Sequence, residues 1–269
     1  MGLQIKKVNF ENGSMNYFEF GNGGKNLVIL PGLSIQSVMN SADIVAHDYK
    51  MFSQDFRLFV FDRKDDLPEN YSVYDMAEDT TKAIIALGLD SLYLFGASQG
   101  GMMAASIALN YPELVKKLAI CSSAFKIDGD RFNVISDWID FAGNKDGVSL
   151  YLDFGKKLYS EEFFATYKTA FIRAGESVKD EEFDRFAILA KGTEGFDISG
   201  GISDLTCPVF AAGATDDAVL GADAIDEVER LLNNLPEKVI HKYSGYGHAC
   251  FDTAPDYKDR LFRFFTDFD

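Results

Sequence analysis

The stretch Leu92–Ser106, LYLFGASQGGMMAAS, sets four apolar residues ahead of a serine that has Gly96 two positions before it and Gly100 two positions after it, then continues into small residues. An apolar run this short, closed by glycine, reads as a strand covered on both faces, and the small-residue run reads as a helix. Ser98 then falls on a sharp strand-to-helix turn. Glycines on either side let strand and helix pass close together, while the turn forces strained backbone angles on the serine itself. Such a turn lifts the hydroxyl clear of the sheet. It also aims the unbonded N–H groups of the following helix, Gln99 first, at whatever the hydroxyl attacks. Gly-x-Ser-x-Gly alone is weak, because a serine that merely caps a buried helix gives the same letters.

Outward from this turn, NLVIL (26–30), FRLFVFD (56–62), SLYLFG (91–96), KLAICSS (117–123), PVFAAG (208–213) and KVIHKY (238–243) are all short and mostly apolar, as parallel core strands should be. Ahead of them LQIKKVNF and MNYFEF flank ENGS, whose Asn12-Gly13 marks a hairpin turn. Between the strands lie segments of helical spacing. The clearest runs from Ser72 to Leu87, with Ser72 and Asp75 at capping-box spacing and Gly88 to end it. Alternating strand and helix imply right-handed crossovers and an α/β fold: a mostly parallel twisted sheet with helices on both faces. The alternation stops between about Phe125 and Ser203, where four helical stretches follow one another. Residues 125–203 are therefore expected to be a helical insertion after the sixth strand, and residues 1–124 and 204–269 the core. The insertion's aromatics include Trp138 and Phe141. Most of them are expected to pack helices, with Phe125, Trp138 and Phe141 taken as candidates to touch substrate.

A serine hydroxyl is a poor nucleophile at neutral pH and needs a base, and the chain has three histidines. His47 falls in an expected helix after the first core strand and His241 within a strand, whereas His248 lies in SGYGHACF, a glycine-bearing loop beyond the last strand. That loop belongs to the carboxyl edge of the sheet, where open α/β folds bind ligands. The imidazole in turn needs an acid to fix its tautomer. Asp216 and Asp217 in GATDDAVLG follow another core strand at the same edge. Neighbouring side chains point different ways, so only one of them reaches the ring; Asp216 is favoured, with Asp217 the alternative.

Serine, acid and histidine in that order, each after a sheet strand, resemble the α/β-hydrolase superfamily over nearly the whole chain. NLVILPGLS is similar to that family's first core strand and oxyanion loop, FGASQGG to its nucleophile elbow, GATDD to its acid loop and GYGHACF to its histidine loop. The resemblance implies a cap in the helical insertion and an oxyanion hole from the N–H groups of Leu33 and Gln99. It also implies Asp216 as the acid, three residues after Gly213. Pro31-Gly32 stands where many members have His-Gly, which removes the side chain that would position the loop. The implied activity is that of a carboxylesterase-like serine hydrolase, acting on an ester or related acyl bond of a small to medium, largely uncharged substrate. Carbon-carbon bond hydrolysis, cofactor-free haloperoxidase or perhydrolase chemistry, and non-hydrolytic ligand binding are the alternatives on the same scaffold.

Composition excludes other classes. Twenty-six Lys and Arg against 42 Asp and Glu give a formal charge of −16, which repels phosphate backbones and anionic membrane surfaces. The expected partner is a small molecule, not nucleic acid or membrane. Long-range repulsion also disfavours anionic substrates unless a local cation such as Arg131 or Arg173 reverses it. Cys121, Cys207 and Cys250 form neither a disulfide framework nor a CxxC metal site, and Cys250, two residues after His248, reads as a buried thiol. No cofactor or metal is expected. No stretch approaches the roughly 18 apolar residues of a membrane span, and MGLQIKKVNFENGS lacks the apolar segment of a signal peptide, so a cytoplasmic setting is expected.

Overall fold

The computed structural model describes residues 2–267. Eight strands form one sheet: β1 (Lys6–Phe10), β2 (Gly13–Phe20), β3 (Lys25–Leu30), β4 (Phe56–Lys64), β5 (Leu92–Ala97), β6 (Val115–Cys121), β7 (Val209–Ala214) and β8 (Lys238–Tyr243). Their order across the sheet is β1-β2-β4-β3-β5-β6-β7-β8. β1 and β2 are antiparallel to their neighbours and every other pairing is parallel. The hairpin turn differs from the expected one by a residue. Gly13 already pairs with Phe10, so Glu11 and Asn12 make the turn, with Asn12 at φ 67°.

Ten α-helices accompany the sheet among the described residues: α1 (Ala42–Asp48), α2 (Val73–Ala86), α3 (Gln99–Asn110), α4 (Gly129–Gly143), α5 (Gly147–Leu158), α6 (Glu161–Glu176), α7 (Asp180–Lys191), α8 (Ala224–Leu232), α9 (Cys250–Thr253) and α10 (Tyr257–Thr266). The start of α2 is set by the expected capping box. Ser72 Oγ accepts from Asp75 N, and an Asp75 carboxylate oxygen accepts from Ser72 N, an arrangement that satisfies two otherwise orphaned donors.

Alternation along each central strand feeds two cores. Leu92 and Leu94 of β5 join a cluster with Met76, Ile84, Met103 and Ile225 from α2, α3 and α8; Tyr93 and Phe95 point the other way, toward Tyr257, Leu261 and Phe265 of α10. The α10 residues recur at intervals of four and eight, one face of a helix, and this face covers the sheet. Helices α4 to α7 follow β6 in sequence without a strand between them. They extend the first cluster outward through Ile135, Trp138, Leu150, Phe183, Phe186 and Leu189, so these four helices share the sheet's apolar core.

Candidate active site

Ser98 stands between β5 and α3 at φ 51° and ψ −122°, a left-handed backbone that a residue with a Cβ adopts at a cost. The surroundings hold it there. Ser98 N donates to Cys121 O at 2.8 Å, and Ser98 O accepts from Gly101 N at 2.8 Å and from Ser123 Oγ at 2.9 Å. The elbow glycines are dictated by contact. A Cβ on Gly96 would lie 2.2 Å from Gly100 O, and one on Gly100 would lie 2.0 Å from Leu30 O. Gln99 is the first residue of α3, where a backbone N–H has no carbonyl one turn back in its own helix.

His248 lies in the loop between β8 and α9, with its side chain buried. Its Nε2 is 2.9 Å from Ser98 Oγ and its Nδ1 is 2.8 Å from Asp217 Oδ2. The carboxylate on the ring is thus Asp217, which corrects the expectation of Asp216. β7 runs one residue past Gly213, to Ala214, and the turn falls at Thr215 and Asp216. The first carboxylate after that turn to face inward is Asp217, only 5% exposed. The chain then folds around it: Asp217 Oδ1 accepts from Val219 N at 2.8 Å and Leu220 N at 2.9 Å, leaving Oδ2 for the imidazole. Burial pushes this carboxyl's pKa up, but the imidazole and the two backbone N–H groups outweigh that and hold it below the ordinary value.

Asp216 has a different task. Exposed, it accepts from Gly245 N at 3.0 Å through one oxygen and from Gly247 N at 3.1 Å through the other. Both glycines have positive φ, 84° and 64°, so Asp216 pins the two bends of the loop that carries His248. The far side of the loop is fastened to α5, where Ala249 N donates to Leu158 O at 2.8 Å. The other two histidines stand apart, His47 in α1 and His241 in β8.

Ser98 and His248 open into a cavity of about 40 Å³. Its floor carries Gly32, Leu33, Gln99 and Met102; its roof is Ile135, Trp138, Phe154 and Leu158 from α4 and α5, with Val219, Leu220, Phe251 and Thr193 at the sides. Leu33 and Gln99, expected to supply the oxyanion donors, both border it. Of the three aromatics taken as substrate contacts, only Trp138 does. Phe125 is 2% exposed within the sheet's core cluster, where its carbonyl accepts from Ile198 N, and Phe141, partly buried on α4, packs against that same cluster. Neither lines the cavity, which corrects that expectation. Phe154 and Phe251 line it unanticipated, although Phe251 lies three residues after His248 and Phe154 falls at helical spacing within the insertion.

Among the described residues, no Asp, Glu, Lys or Arg side chain lines this cavity. Arg131 turns away, with Nη1 2.5 Å from Glu227 Oε2 and Nε donating to Leu220 O at 2.9 Å. Cys250 is fully buried, 3.6 Å from Cys121 Sγ and 3.3 Å from Ser122 Oγ. No group of three or more His, Cys, Asp or Glu side chains able to hold a metal ion occurs among the described residues, and no described helix is long and apolar enough to cross a membrane.

Sheet order, elbow and hydrogen-bonded Ser98, His248 and Asp217 together define an α/β-hydrolase architecture, and the sequence agrees. Residues 27–255 match the family model described as alpha/beta hydrolase fold, so the chain belongs to that family and is a hydrolase of the α/β fold. Among curated relatives, a protein of Serratia proteamaculans (strain 568) named "Putative carbamate hydrolase RutD" is 23% identical over 262 residues, 91% of this chain and 93% of its own. Among solved structures, MGS-M2, an alpha/beta hydrolase enzyme from a Medee basin deep-sea metagenome library, superposes with a TM-score of 0.85 at 18% identity over 97% of both chains. A thermophilic esterase from Thermogutta terrifontis gives a TM-score of 0.79 at 18% identity over 98% of both chains.

Proposed function

We propose that the protein is a carboxylesterase-like serine hydrolase that cleaves an ester or related acyl bond of a small, uncharged substrate through an acyl-Ser98 intermediate. The observation that carries this is the unbroken chain from Ser98 Oγ to His248 Nε2 at 2.9 Å and from His248 Nδ1 to Asp217 at 2.8 Å, opening into an apolar cavity. His248 Nε2 takes the hydroxyl proton as Ser98 Oγ bonds to the carbonyl carbon. The carbonyl oxygen becomes an oxyanion held by the N–H groups of Gln99 and Leu33. Asp217 stabilises the imidazolium, which then passes its proton to the leaving group as the acyl bond breaks. Water, deprotonated by the same ring, adds to the acyl-serine, and collapse of the second oxyanion returns the serine and releases the acid.

Size and polarity bound the substrate. A cavity of about 40 Å³ suits a short acyl group, and walls without a carboxylate or a Lys or Arg cation leave an anion unpaired where pairing would be needed. Helices α4 to α7 serve as the cap that selects for size. A small-molecule partner and a cytoplasmic setting complete the proposal. A carbamate is the alternative substrate class, supported by the name of the curated relatives; the apolar walls favour a neutral carbamate ester over the free carbamate anion.

The test is a panel of p-nitrophenyl esters of two to eight acyl carbons and one neutral carbamate ester, run on the wild type and on Ser98→Ala. Removing one member of a triad is expected to lower kcat by several orders of magnitude, on the order of 10⁶-fold. Wild-type turnover by Ser98→Ala, or no Ser98 labelling by a fluorophosphonate, refutes the assignment.

A further inference from the structure

The oxyanion loop begins at Pro31, which has no N–H and no side chain able to anchor it by hydrogen bonding. Its anchor comes from the adjacent strand. Arg63, near the end of β4 and 3% exposed, donates from Nη2 to Pro31 O at 2.8 Å and to Gln99 Oε1 at 3.0 Å. One guanidinium nitrogen thereby holds the loop that carries Leu33 and the side chain of the residue whose N–H begins α3. Arg63 Nε is buried with no hydrogen-bond partner among the described residues. Burial lowers the guanidinium's pKa to about 10, which leaves it cationic at neutral pH. A buried cation bonded to neutral acceptors is costly to keep.

The far end of the loop is held by the residue before Arg63. Asp62 Oδ2 accepts from Ser37 Oγ at 2.5 Å, and Asp62 Oδ1 from Arg63 N at 2.7 Å. Both anchors continue into the cap. Arg185 Nη2 of α7 lies 2.7 Å from Asp62 Oδ1, and Gln99 Nε2 donates to Leu189 O of α7 at 2.7 Å. Within the loop, Gln36 meets the cap again through Tyr151 Oη at 3.3 Å.

We propose that Arg63 is the positioning residue of the oxyanion hole, fixing the Leu33 and Gln99 N–H groups through Pro31 and Gln99, and that Asp62–Arg185 and Gln99–Leu189 make this geometry depend on the docking of α7. The inference rests on the serine-hydrolase function proposed above. Donors whose aim matters only when charge develops on the substrate oxygen affect kcat and leave KM alone.

The experiment measures kcat, KM and melting temperature for p-nitrophenyl acetate in Arg63→Met, Arg63→Lys and Arg185→Met, with kcat expressed per Ser98 labelled by fluorophosphonate so that misfolded protein is not counted. Arg63→Met is expected to lose about 100-fold in kcat, the scale of one oxyanion donor, with KM within about twofold. Arg63→Lys, which keeps the charge and one donor, is expected to recover about tenfold of this, and Arg185→Met to lose about threefold to tenfold in kcat alone. Wild-type kcat per labelled site in Arg63→Met, or a loss confined to KM, overturns the proposal. If Arg63→Met does not fold, unchanged kcat in both Arg63→Lys and Arg185→Met overturns it. Absence of Ser98 labelling in the wild type overturns the underlying function and this proposal together, whereas labelling with unaltered kcat in the variants overturns this proposal alone.

Discussion

Replacing Asp217 by Asn exchanges one heavy atom and, by the geometry around it, switches the tautomer of the imidazole. Oδ1 accepts two backbone N–H groups, from Val219 and Leu220 at 2.8 and 2.9 Å. The amide oxygen of the introduced asparagine has to stay there, because turning the NH₂ toward those donors leaves two buried N–H groups unsatisfied at about 1–3 kcal/mol each. The NH₂ then faces His248 Nδ1, which accepts only as the tautomer with its proton on Nε2. That proton points at Ser98 Oγ, 2.9 Å away, and the ring can no longer take the hydroxyl's proton. The expected loss in kcat is about 10⁴-fold, or roughly 5.5 kcal/mol of transition-state stabilisation, with KM little changed. Asp216→Asn serves as the control. Its carboxylate is exposed and holds two loop N–H groups at 3.0 and 3.1 Å; losing one should cost about 1 kcal/mol of stability and less than about tenfold in kcat. The assay is steady-state hydrolysis of p-nitrophenyl acetate per fluorophosphonate-labelled site, with melting curves alongside. Equal losses in the two variants, or the deeper loss in Asp216→Asn, would show that the 2.8 Å contact between Asp217 and His248 does not govern the base.

Trp138→Ala should widen the cavity while costing about 3–5 kcal/mol of stability, since Trp138 is 2% exposed, packs on Phe154 and donates from Nε1 to Asp153. Its ratio of butyrate to acetate turnover should rise, whereas Phe125→Leu should lower stability and leave the ratio unchanged; a shifted ratio in Phe125→Leu would put that ring on the substrate after all. With its folded-state pKa below the reference 3.8, Asp217 contributes stability that is present above pH 3.8 and lost as pH falls through the folded value. Acid unfolding followed by circular dichroism should therefore fall less steeply with decreasing pH in Asp217→Asn, and coincident curves for variant and wild type would contradict the assigned direction.

The sheet was legible because strands buried on both faces read as short apolar runs, and LYLFGA and VFAAGA are fully buried along their length. The run of four helices after β6 was legible for the same reason in reverse, as amphipathic segments with no such apolar run between them. What resisted reading depended on single residues of register. Whether Asp216 or Asp217 faces inward is set by β7 ending at Ala214, and nothing in two adjacent carboxylates records where a strand ends. Trp138 and Phe141 both sit on α4, yet which one lines the cavity depends on how α4 is rotated against α7 and α5, and Phe125, ahead of α4, is taken into the core cluster, both matters of packing between elements. Arg63 carries no local signal, because its partners are a carbonyl 32 residues before it and an amide 36 residues after it.

Ser98 and His248 are 150 residues apart in sequence and hang from β5 and β8, strands separated in the sheet by β6 and β7. Closing a loop this long costs entropy that the contact must repay, so contacts this remote are slow to form. Turnover is then a stringent reporter of completed folding: a refolding chain gains helicity early, but its first hydrolytic event awaits docking of the carboxyl-terminal strand, so recovery of activity should lag recovery of circular dichroism.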